Sequence, residues 1–599
     1  MPVIELLDER VIDKIAAGEV IERPSSVVKE LLENAIDACG EEIRVDILNG
    51  GKRLIRVSDD GTGMDRDDAL TSLKRHATSK IRSEGDLLNL KTLGFRGEAL
   101  SSIASVSRMN ITTALRGAEV GTFVEIYGGE VKSVKEKASV GTTIEVRELF
   151  YNTPARKKFL KSTQSELYHI MDVVTQAALS YPERKFILYV DEKKVLEASA
   201  ASGIRERIMQ LYGMEFLDGL IEFKNNSYDA NVSGFVSKEG NYARSRSHQY
   251  IFVNGRPIRD AYIRHAVYQP YKNILPEGMH PHCFLYMGVK PERVDFNVHP
   301  QKFEVRFSER ETIYKAVLSA VYKAVIGKDM ETDTKNPSSG KAYGDFQRQR
   351  ESSAASGAQT YGSRFDEKLS NYDKGDRPKT SASDDSAYSD ATRQPNTLQA
   401  EKNTGLPIAF EAGRRFLYLG DVYVAYVDGG GLCVADHHAC HERVLYEKLR
   451  DGVGLIRQGI LFPVQVQVPA REYVLLSNSL QALRDMAIDI EEFGSDTFII
   501  RALPDGLKGA DIAAILTDIA SNLVDFSSGG SPVEETKEKI AKRIACHSSV
   551  RGKAVLNDSE MFNMLKDLDN CKDPYHCPHG RPTRVYLTLD KLKKLFKRT

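Results

Sequence analysis

The sequence lacks an excess of charge of either sign. Its 83 lysines and arginines are matched by 84 aspartates and glutamates, which leaves a formal net charge of −1. A strongly charged chain would attract nucleic acids or membranes over its whole surface. A general attraction of that kind is excluded, so contact with DNA requires a local basic patch.

Long hydrophobic runs and frequent cysteines are absent as well. Charged residues interrupt the first twenty positions every few residues, which argues against a secretory signal or a membrane-spanning helix. The seven cysteines are few and odd in number for 599 residues, which favours reduced thiols over a disulfide framework. We therefore expect an intracellular protein without a membrane partner.

The chain does contain enough apolar residues for several folded domains. Hydrophobic residues make up 41% of the 599 positions, and the length suits roughly four domain-sized units. Up to about residue 330, helical stretches alternate with β-rich runs, and this pattern predicts an α+β fold. The β-rich runs include residues 42–48, 109–113, 122–127 and 141–146.

A shift in composition marks a linker. Residues 331–405 are rich in Ser, Asp, Lys, Gly, Gln and Asn and poor in aliphatic residues, so they cannot bury enough surface to offset the entropy of ordering. We expect one domain at residues 1–210, a second α+β domain at 211–330, the disordered linker at 331–405 and a C-terminal α+β domain at 406–599.

A predicted helix at residues 27–39 carries a carboxylate and an amide on its polar face. At 3.6 residues per turn, Glu30 and Asn34 lie one turn apart, opposite an apolar face. A helix with this pattern is usually just solvated on its polar face. Here a strand that ends in Asp59 and two glycine-rich segments follow, and together these parts favour a nucleotide site.

The glycine-rich segments suggest how a nucleotide is held. No GxxxxGKS/T loop occurs, so the phosphates need another cradle. Gly94 and Gly97 precede a predicted helix start, where backbone N–H groups bind anions. Gly61 and Gly63 allow the chain to approach a base closely.

Three polar side chains have suitable chemistry for the rest of the site. Glu30 can act as general base on the attacking water, and Asn34 offers a hard oxygen to Mg²⁺. Asp59 can accept a hydrogen bond from an exocyclic amine. Each signal is weak alone, but their order and spacing together favour ATP as the ligand.

Four segments resemble the motifs of the GHKL ATPases, a group that includes gyrase, heat-shock chaperones, histidine kinases and the MutL mismatch-repair family. They are ELLENAIDA, DDGTGM, LGFRGEALSSIASV and SVGTT. The MutL family is resembled specifically by longer strings, among them GFRGEALSSI, LFYNTPARKKFL, VNGRP and NVHPQKFEVRF. This resemblance extends over essentially residues 1–330. The resemblance implies an ATPase α/β sandwich, a second domain of the ribosomal protein S5 type, and a clamp that closes on ATP binding.

The same resemblance implies roles for individual residues. Glu30 is then the catalytic base, Asn34 the Mg²⁺ ligand and Asp59 the adenine reader. Lys302 would reach from the second domain to the γ-phosphate, although without the family match it reads as a surface lysine on a strand. The remaining implied nucleotide contacts are Gly61, Gly63, Gly94, Phe95, Arg96, Gly97 and Thr142.

A second constellation lies near the C-terminus. Asp436 ends a predicted strand, and His438 and Glu442 follow at i and i+4 on one helical face, where both can reach one metal ion. Cys577 and His579 add a thiolate and an imidazole two residues apart. Such mixed donors suit Zn²⁺ or Mn²⁺. A His–Glu pair alone is more often an exposed polar face.

DHHACHERVLYE, at residues 436–447, resembles the DQHA(X)2E(X)4E motif of the MutL-family endonucleases. ACHSSVRG, CPHGRP and a terminal FKR resemble the companion motifs. The resemblance implies metal-dependent nicking of DNA with Asp436 as the essential carboxylate, completed by His438, Glu442, Cys577 and His579. Cys546 would be a further ligand or a neighbouring group.

The sequence departs from the motif at several positions. His437 stands where the family usually has Gln, and Cys440 and His441 occupy variable positions. Glu447 lies about 140° around an ideal helix from Glu442, so it should not share one ion with it. The role of Glu447 stays open.

Weaker signals concern partners. QVQVP at residues 465–469 faintly resembles the glutamine-led peptide that docks on the replication sliding clamp, and a plain β-edge explains it equally well. Basic segments at residues 156–161 and 244–264 can follow DNA phosphates, with solvated charge as the alternative. The family resemblance further implies the partner MutS, a homodimer, and a bacterial cytoplasm with association to the nucleoid during repair.

We therefore predict a mismatch-repair protein that hydrolyses ATP and nicks DNA. An alternative is an ATP-gated matchmaker without nuclease activity, in which zinc serves structure only. A third hypothesis is an ATP-driven chaperone built on the same N-terminal fold.

Overall fold

The structure is a computed structural model that forms two compact units. One unit contains residues 1–331 and 448–548, and the other contains residues 332–447 and 549–599. The predicted linker lies outside the described residues. Those residues are 21–81, 92–94, 97–226, 230–276, 278–296, 305–327, 415–420, 422–428, 430–494, 496–504, 507, 511–526, 533–549 and 556–598.

The N-terminal elements end at residue 327. The helices are α1 (Pro24–Asp37), α2 (Arg66–Thr71), α3 (Ala99–Ser105), α4 (Pro154–Phe159), α5 (Thr163–Ser180), α6 (Ile204–Tyr212), α7 (Met214–Asp218), α8 (Ala261–Tyr268) and α9 (Arg310–Ile326). The strands are β1 (Glu42–Leu48), β2 (Leu54–Asp59), β3 (Arg108–Ala114), β4 (Gly121–Tyr127), β5 (Glu130–Lys137), β6 (Gly141–Arg147), β7 (Lys185–Val190), β8 (Lys193–Ala198), β9 (Leu220–Asn226), β10 (Ala230–Ser237), β11 (Tyr242–Ala243), β12 (Gln249–Val253), β13 (Arg256–Pro257), β14 (His280–Pro281), β15 (Cys283–Val289), β16 (Val294–Asp295) and β17 (Arg306–Phe307).

The first sheet has eight strands in the order β5-β4-β3-β6-β2-β1-β7-β8. Its pairs are antiparallel except β1 with β7, which are parallel. Helix α1 starts with Pro24 because proline suits the first helical position, where no N–H is needed. Its apolar face is buried in one core with α5 and the sheet, and this core fixes the direction of the polar face.

A second sheet follows with the order β13-β12-β15-β10-β9. Helices α8 and α9 contribute Ile263, Val267, Ile313 and Val317 to the core against this sheet. The predicted α+β class is confirmed by both sheets.

Seven helices and seven strands follow residue 414 in the described part of the chain. The helices are α10 (His437–Asp451), α11 (Ala470–Ser477), α12 (Leu480–Asp485), α13 (Ile512–Phe526), α14 (Val533–Ser549), α15 (Asp558–Asp569) and α16 (Leu589–Leu595). The strands are β18 (Leu417–Leu419), β19 (Tyr423–Asp428), β20 (Gly431–Asp436), β21 (Arg457–Gln467), β22 (Asp489–Phe493), β23 (Thr497–Pro504) and β24 (Arg584–Thr588).

These strands form two sheets. One has the order β18-β19-β20-β24, and β20 ends where α10 begins. The other has the order β21-β23-β22 and leaves β21 at an edge. Among the residues that the structure describes, no helix is both long and apolar enough to cross a membrane.

Candidate nucleotide site and metal centre

Helix α1 presents the predicted nucleotide residues on its polar face. Its core face includes Val28, Leu31 and Leu32, each at most 2% exposed, whereas Glu30 and Asn34 remain partly exposed. Since these apolar side chains lock the rotation of the helix, the carboxylate and the amide are held on the opposite side, as the helical period predicts.

A lysine that the sequence did not single out pairs with this face. Lys80 Nζ lies 2.8 Å from Asn34 Oδ1 and 2.6 Å from Asp37 Oδ2. Lys80 is 46 residues from Asn34, and no short spacing in the sequence indicates such a pairing. The amide predicted for Mg²⁺ is thus already part of a charged cluster.

Asp37 also fastens the second glycine segment to α1. The backbone N–H groups of Leu93 and Gly94 donate to its two carboxylate oxygens at 3.0 Å and 3.1 Å. A Cβ added to Gly94 would lie 2.8 Å from Lys80 Nζ and 3.8 Å from Asn34 Oδ1. The structure therefore brings Gly94 and Asn34 together, as a shared site requires.

Asp59 marks the other end of the predicted site. It ends β2, accepts a hydrogen bond from Gly61 N at 3.0 Å, and pairs in register with Thr142 on β6. Burial raises the pKa of Asp59 to about 6, with a smaller contribution from Asp60 and an opposing one from the Gly61 N–H. Thr142 Oγ1 lies 2.9 Å from Thr113 Oγ1, so its hydroxyl is bonded within the sheet.

The glycines of the DGTG turn are needed by the fold itself. Gly63 has φ +69°, and a Cβ there would lie 1.8 Å from the carbonyl oxygen of Ala114. A Cβ on Gly61 would lie 2.5 Å from Ala38 O. The turn is also tied to the end of α1 by a 2.9 Å bond from Thr62 N to Ala38 O.

The second glycine segment is only partly described. Gly97 has φ +66°, and a Cβ there would come within 2.6 Å of Ala77 O. Phe95, Arg96 and Lys302 lie outside the described residues. The polar groups in the described residues still fit ATP. The partly buried carboxyl of Asp59 suits adenine, and the Lys80–Asn34 cluster suits phosphate and Mg²⁺.

The candidate metal centre lies between α10 and the turn that precedes β24. Glu442, Cys577 and His579 each offer one ligand atom, and these three atoms lie within 4.8 Å of one another. Cys577 and Glu442 are 1% and 5% exposed, so thiol and carboxylate face each other away from bulk water. A thiol, an imidazole and a carboxylate in one such cluster fit zinc.

The turn at residues 577–581 brings its two ligands to the same side. Cys577 N donates to Arg581 O at 2.8 Å, and Gly580 N donates to Cys577 O at 2.9 Å. His579 Nδ1 then lies 3.4 Å from Glu442 Oε2. His438 joins from α10, with its Nε2 3.7 Å from the other Glu442 oxygen.

Asp436 ends β20 directly before α10, the helix that carries Glu442. Its Oδ1 accepts a 3.0 Å hydrogen bond from Ala439 N, the position of a helix-capping carboxylate. It is not among the three ligands that converge within 4.8 Å. An ionised carboxylate keeps further acceptor sites while it caps a helix.

Glu447 has a structural role that the sequence left open. Its carboxylate accepts hydrogen bonds from the backbone of Lys572 at 2.7 Å and of Asp573 at 3.3 Å. Arg443 lies between Glu447 and Asp573, at 3.4 Å and 3.5 Å. These contacts fasten the segment before Cys577 to the helix that carries Glu442.

The other predicted or uncertain positions have different surroundings. Cys546 lies in the first unit, where its thiol accepts a hydrogen bond from Arg244 at 3.2 Å. The thiol of Cys440 is buried in the core and donates to Thr583 O at 3.4 Å, and burial strongly raises its pKa. His437 is 4% exposed, and its ring packs at an edge-on angle to Tyr418.

Three family models match separate parts of the chain. "Histidine kinase-, DNA gyrase B-, and HSP90-like ATPase" matches residues 22–150. "DNA mismatch repair protein, C-terminal domain" matches residues 208–325, and "MutL C terminal dimerisation domain" matches residues 418–556.

Curated relatives match over nearly the whole length. The DNA mismatch repair protein MutL of Geotalea daltonii is 38% identical, with 99% of each chain covered. That of Thermodesulfovibrio yellowstonii is 37% identical, again with 99% of each chain covered. Among solved structures, the Aquifex aeolicus MutL ATPase domain complexed with ADP is 26% identical at a TM-score of 0.37, covering 50% of this chain and 98% of that one. The near-complete coverage by the curated relatives confirms the resemblance seen in the motifs, and the chain belongs to the MutL family of DNA mismatch repair proteins.

Proposed function

We propose that this mismatch-repair protein couples ATP hydrolysis to metal-dependent nicking of DNA. The convergence of Glu442, Cys577 and His579 within 4.8 Å is the observation that supports the nicking half. The ATPase-type N-terminal region supports the other half. We also propose the four-part organisation with boundaries at residues 210, 330 and 405.

In the ATPase half, Glu30 acts as general base and Asn34 contributes an oxygen to Mg²⁺. Asp59 accepts from the adenine amine, and Lys80 leaves or shares its Asn34 contact when phosphate arrives. Glu30→Ala should bind nucleotide yet hydrolyse it about 10²- to 10⁴-fold more slowly, since a positioned base contributes that much. Unchanged ATP turnover in this variant would exclude the role of Glu30.

In the nuclease half, Glu442, Cys577 and His579 hold a metal, and His438 supports Glu442. A bound divalent metal lowers the pKa of water and neutralises charge on the scissile phosphate. Asp436 caps the start of α10, and its carboxylate keeps acceptor sites for the metal. The thiol of Cys577 and the carboxylate of Glu442 are buried, whereas His579 is exposed, so solvent reaches the cluster at the imidazole.

The nuclease assignment is tested with supercoiled plasmid and Mn²⁺. Wild-type protein should nick the plasmid, and Asp436→Asn should lower the rate about 10- to 100-fold, because loss of even indirect metal contacts costs that much. Asp590→Asn is the matched control, because Asp590 is 87% exposed. An intact plasmid with wild-type protein would favour the matchmaker with structural zinc.

DNA contact is proposed at helix α4. Lys157 and Lys158 lie in its last turn, and the neighbouring Phe159 is 86% exposed. Lysines can neutralise phosphates while an exposed ring stacks on a base. Partnership with MutS is proposed from family membership alone.

Docking on the replication sliding clamp is proposed at the edge strand β21. The valines of the predicted QVQVP segment, Val466 and Val468, are each 2% exposed and so face the core. In the preceding segment QGILFP, Leu461 and Phe462 are 86% and 78% exposed, next to a break in strand register after Gly459. A glutamine-led peptide with exposed apolar residues suits docking better than buried valines.

The clamp proposal is tested by measuring binding of the full chain to purified clamp. The double variant Leu461→Ala/Phe462→Ala should lose most of the affinity. Gln465→Ala should bind as wild type, and the opposite result would favour the later segment.

A further inference from the structure

A buried arginine connects the second sheet to the nucleotide site. Arg256 begins β13, directly after the β12–β13 turn, and is 6% exposed. Its Nη2 donates to the carbonyl oxygen of Thr92, and its guanidinium lies 4.6 Å from the ring centre of Phe296. One side chain therefore touches both the glycine segment and the strand end at Phe296.

The segment that Arg256 contacts is bonded onward to α1. Thr92 Oγ1 donates to Gly94 O at 2.9 Å, and the N–H groups of Leu93 and Gly94 donate to Asp37. Asp37 shares Lys80 with Asn34. A continuous set of hydrogen bonds thus leads from Arg256 to the amide proposed to hold Mg²⁺.

The surroundings of Arg256 are not those of an ordinary core arginine. A cavity of about 50 Å³ next to it is lined by residues of α1, α5 and the β12–β13 turn, including Lys29 and Glu33, and by Tyr181 directly after α5. Its buried Nη1 has no hydrogen-bond partner among the described residues. A buried donor without a partner lowers the stability of the fold. This cost indicates that the contacts of Arg256 with Thr92 and Phe296 have a function.

We infer that Arg256 is a positioning residue for ATP hydrolysis. It connects the second sheet to residues 92–94, so that the position of this sheet sets the position of residues 92–94 relative to Asn34. The inference rests on the proposed ATP site. A planar guanidinium can donate to a carbonyl while its face stacks on a ring, and a lysine ammonium cannot do both in the same way. Arginine is therefore required at this position in preference to any cation.

The effect should be on turnover more than on nucleotide affinity. Residues 92–94 lie beside Asn34 and Lys80, on the phosphate side of the proposed site, whereas Asp59 is held by a different turn. A small displacement of the phosphate side disturbs the orientation needed for reaction. Recognition of the base by Asp59 does not depend on the Arg256 contacts.

The test uses the full-length chain and measures kcat and KM for ATP together with the Kd for ADP. Arg256→Met should lower kcat about 3- to 30-fold, the range of coupling through such networks, while ADP affinity changes less than about 3-fold. Arg256→Lys should recover part of the loss. Arg205→Gln is the control, because Arg205 is 59% exposed in a 3.6 Å surface ion pair with Glu222.

A second variant guards against a merely unfolded protein. Phe296→Leu keeps Arg256 and a buried apolar side chain but removes the ring, so kcat should fall by a smaller factor with ADP affinity intact. Wild-type kcat in Arg256→Met, or an equal loss of kcat and ADP binding in both variants, overturns the inference.

Glu30→Ala, measured in parallel, distinguishes a failure of the proposed ATP site from a failure of the positioning role of Arg256. Normal hydrolysis in Glu30→Ala would overturn the ATP site and the inference together. An inactive Glu30→Ala beside an unimpaired Arg256→Met would overturn the inference alone.

Discussion

At the residue scale, Asp59 combines a proposed role in adenine binding with a raised pKa. Burial holds its pKa at about 6, above the usual range for an aspartate near 4. The carboxylate that would accept from adenine is thus half protonated near pH 6. A proton and the adenine amine would therefore compete for the Asp59 carboxylate near pH 6.

We expect nucleotide affinity to rise with pH through this range. Below pH 6 the neutral acid predominates and is a weaker acceptor, so ADP should bind more weakly at pH 5.5 than at pH 7.5. Isothermal titration across these values measures the change. Asp59→Asn should bind weakly with little pH dependence, and a flat wild-type profile would exclude the assigned role.

At the scale of single elements, helix α11 carries a buried pair of opposite charges. Arg471 Nη2 lies 3.1 Å from Glu472 Oε1, and Arg471 Nη1 lies 3.4 Å from Asp172 Oδ1 on α5. Glu472 is 1% exposed and 3.4 Å from His248 Nε2. Burial opposes the charge on Glu472, but Arg471 and His248 outweigh burial and lower its pKa to about 2.

Removing one partner should loosen α11. Arg471→Met leaves Glu472 charged and buried without its main partner, which costs roughly 3–5 kcal/mol, and hydrogen exchange at residues 470–477 should accelerate accordingly. Arg471→Met/Glu472→Gln should restore part of the protection, since no uncompensated charge remains. Equal exchange in wild type and Arg471→Met would contradict this.

The pH dependence of this pair follows from the sign of the shift. The pKa of Glu472 is lower in the folded protein than in the unfolded chain, so its contribution to stability is complete above about pH 4 to 5. The contribution is lost as the pH falls from there toward 2. Hydrogen exchange at residues 470–477 should therefore lose protection in acid, and less so in the double variant.

The sequence predicted local elements well because their signals are local. The strand at residues 42–48 has the predicted bounds, and α1 spans Pro24–Asp37 where residues 27–39 were expected. Of the six predicted metal ligands at the second constellation, Glu442, Cys577 and His579 lie together although 137 residues separate Glu442 from His579, and the motif resemblance supplied that link. Asp436, His438 and Cys546 are not in this group of three.

The partners of Lys80, Arg256 and Glu447 could not be predicted in this way. Each of these side chains has a hydrogen-bond partner far away in the sequence: Asn34 is 46 residues from Lys80, Thr92 is 164 residues from Arg256, and Lys572 is 125 residues from Glu447. Packing of the whole fold decides such contacts. The same holds for β21, where the alternation of Gln and Val predicted a strand but not the exposure of Leu461 and Phe462 earlier in the same strand. The periodicity of apolar residues indicates which face of a strand or helix is apolar. It does not indicate which other part of the protein packs against that face.

At the scale of the whole molecule, the sheet β18-β19-β20-β24 has an apolar outward face. In the strand register, residues of this face alternate with those that pack in the core beneath. Its exposed members are Leu417, Leu419, Tyr423, Val427 and Val585, between 45% and 70% exposed. A contiguous apolar face of this kind indicates a protein interface, and the dimerisation-domain match supports a second copy of the chain as the occupant.

We expect charges on this face to prevent dimer formation. Val427→Glu/Val585→Glu should be monomeric at micromolar concentration, because unpaired carboxylates would be buried in the interface. Light scattering after size exclusion measures the mass. Lys566→Glu, exposed on α15 at the opposite side of the sheet, should behave as wild type, and a dimeric double variant would place the interface elsewhere.

The anchoring of the segment before Cys577 to α10 has a consequence for how a metal would come and go. Glu447 and Arg443 hold residues 572–573 without using any of the proposed ligands, so the distance between the helix and the turn is fixed by the protein. A chelator should then strip the metal and abolish the proposed nicking while α10 and the turn keep their helical and near-ultraviolet circular dichroism. The site would therefore be preformed by the protein, and the size of the ion would decide whether it binds. The metal would not be needed to fold the site around itself.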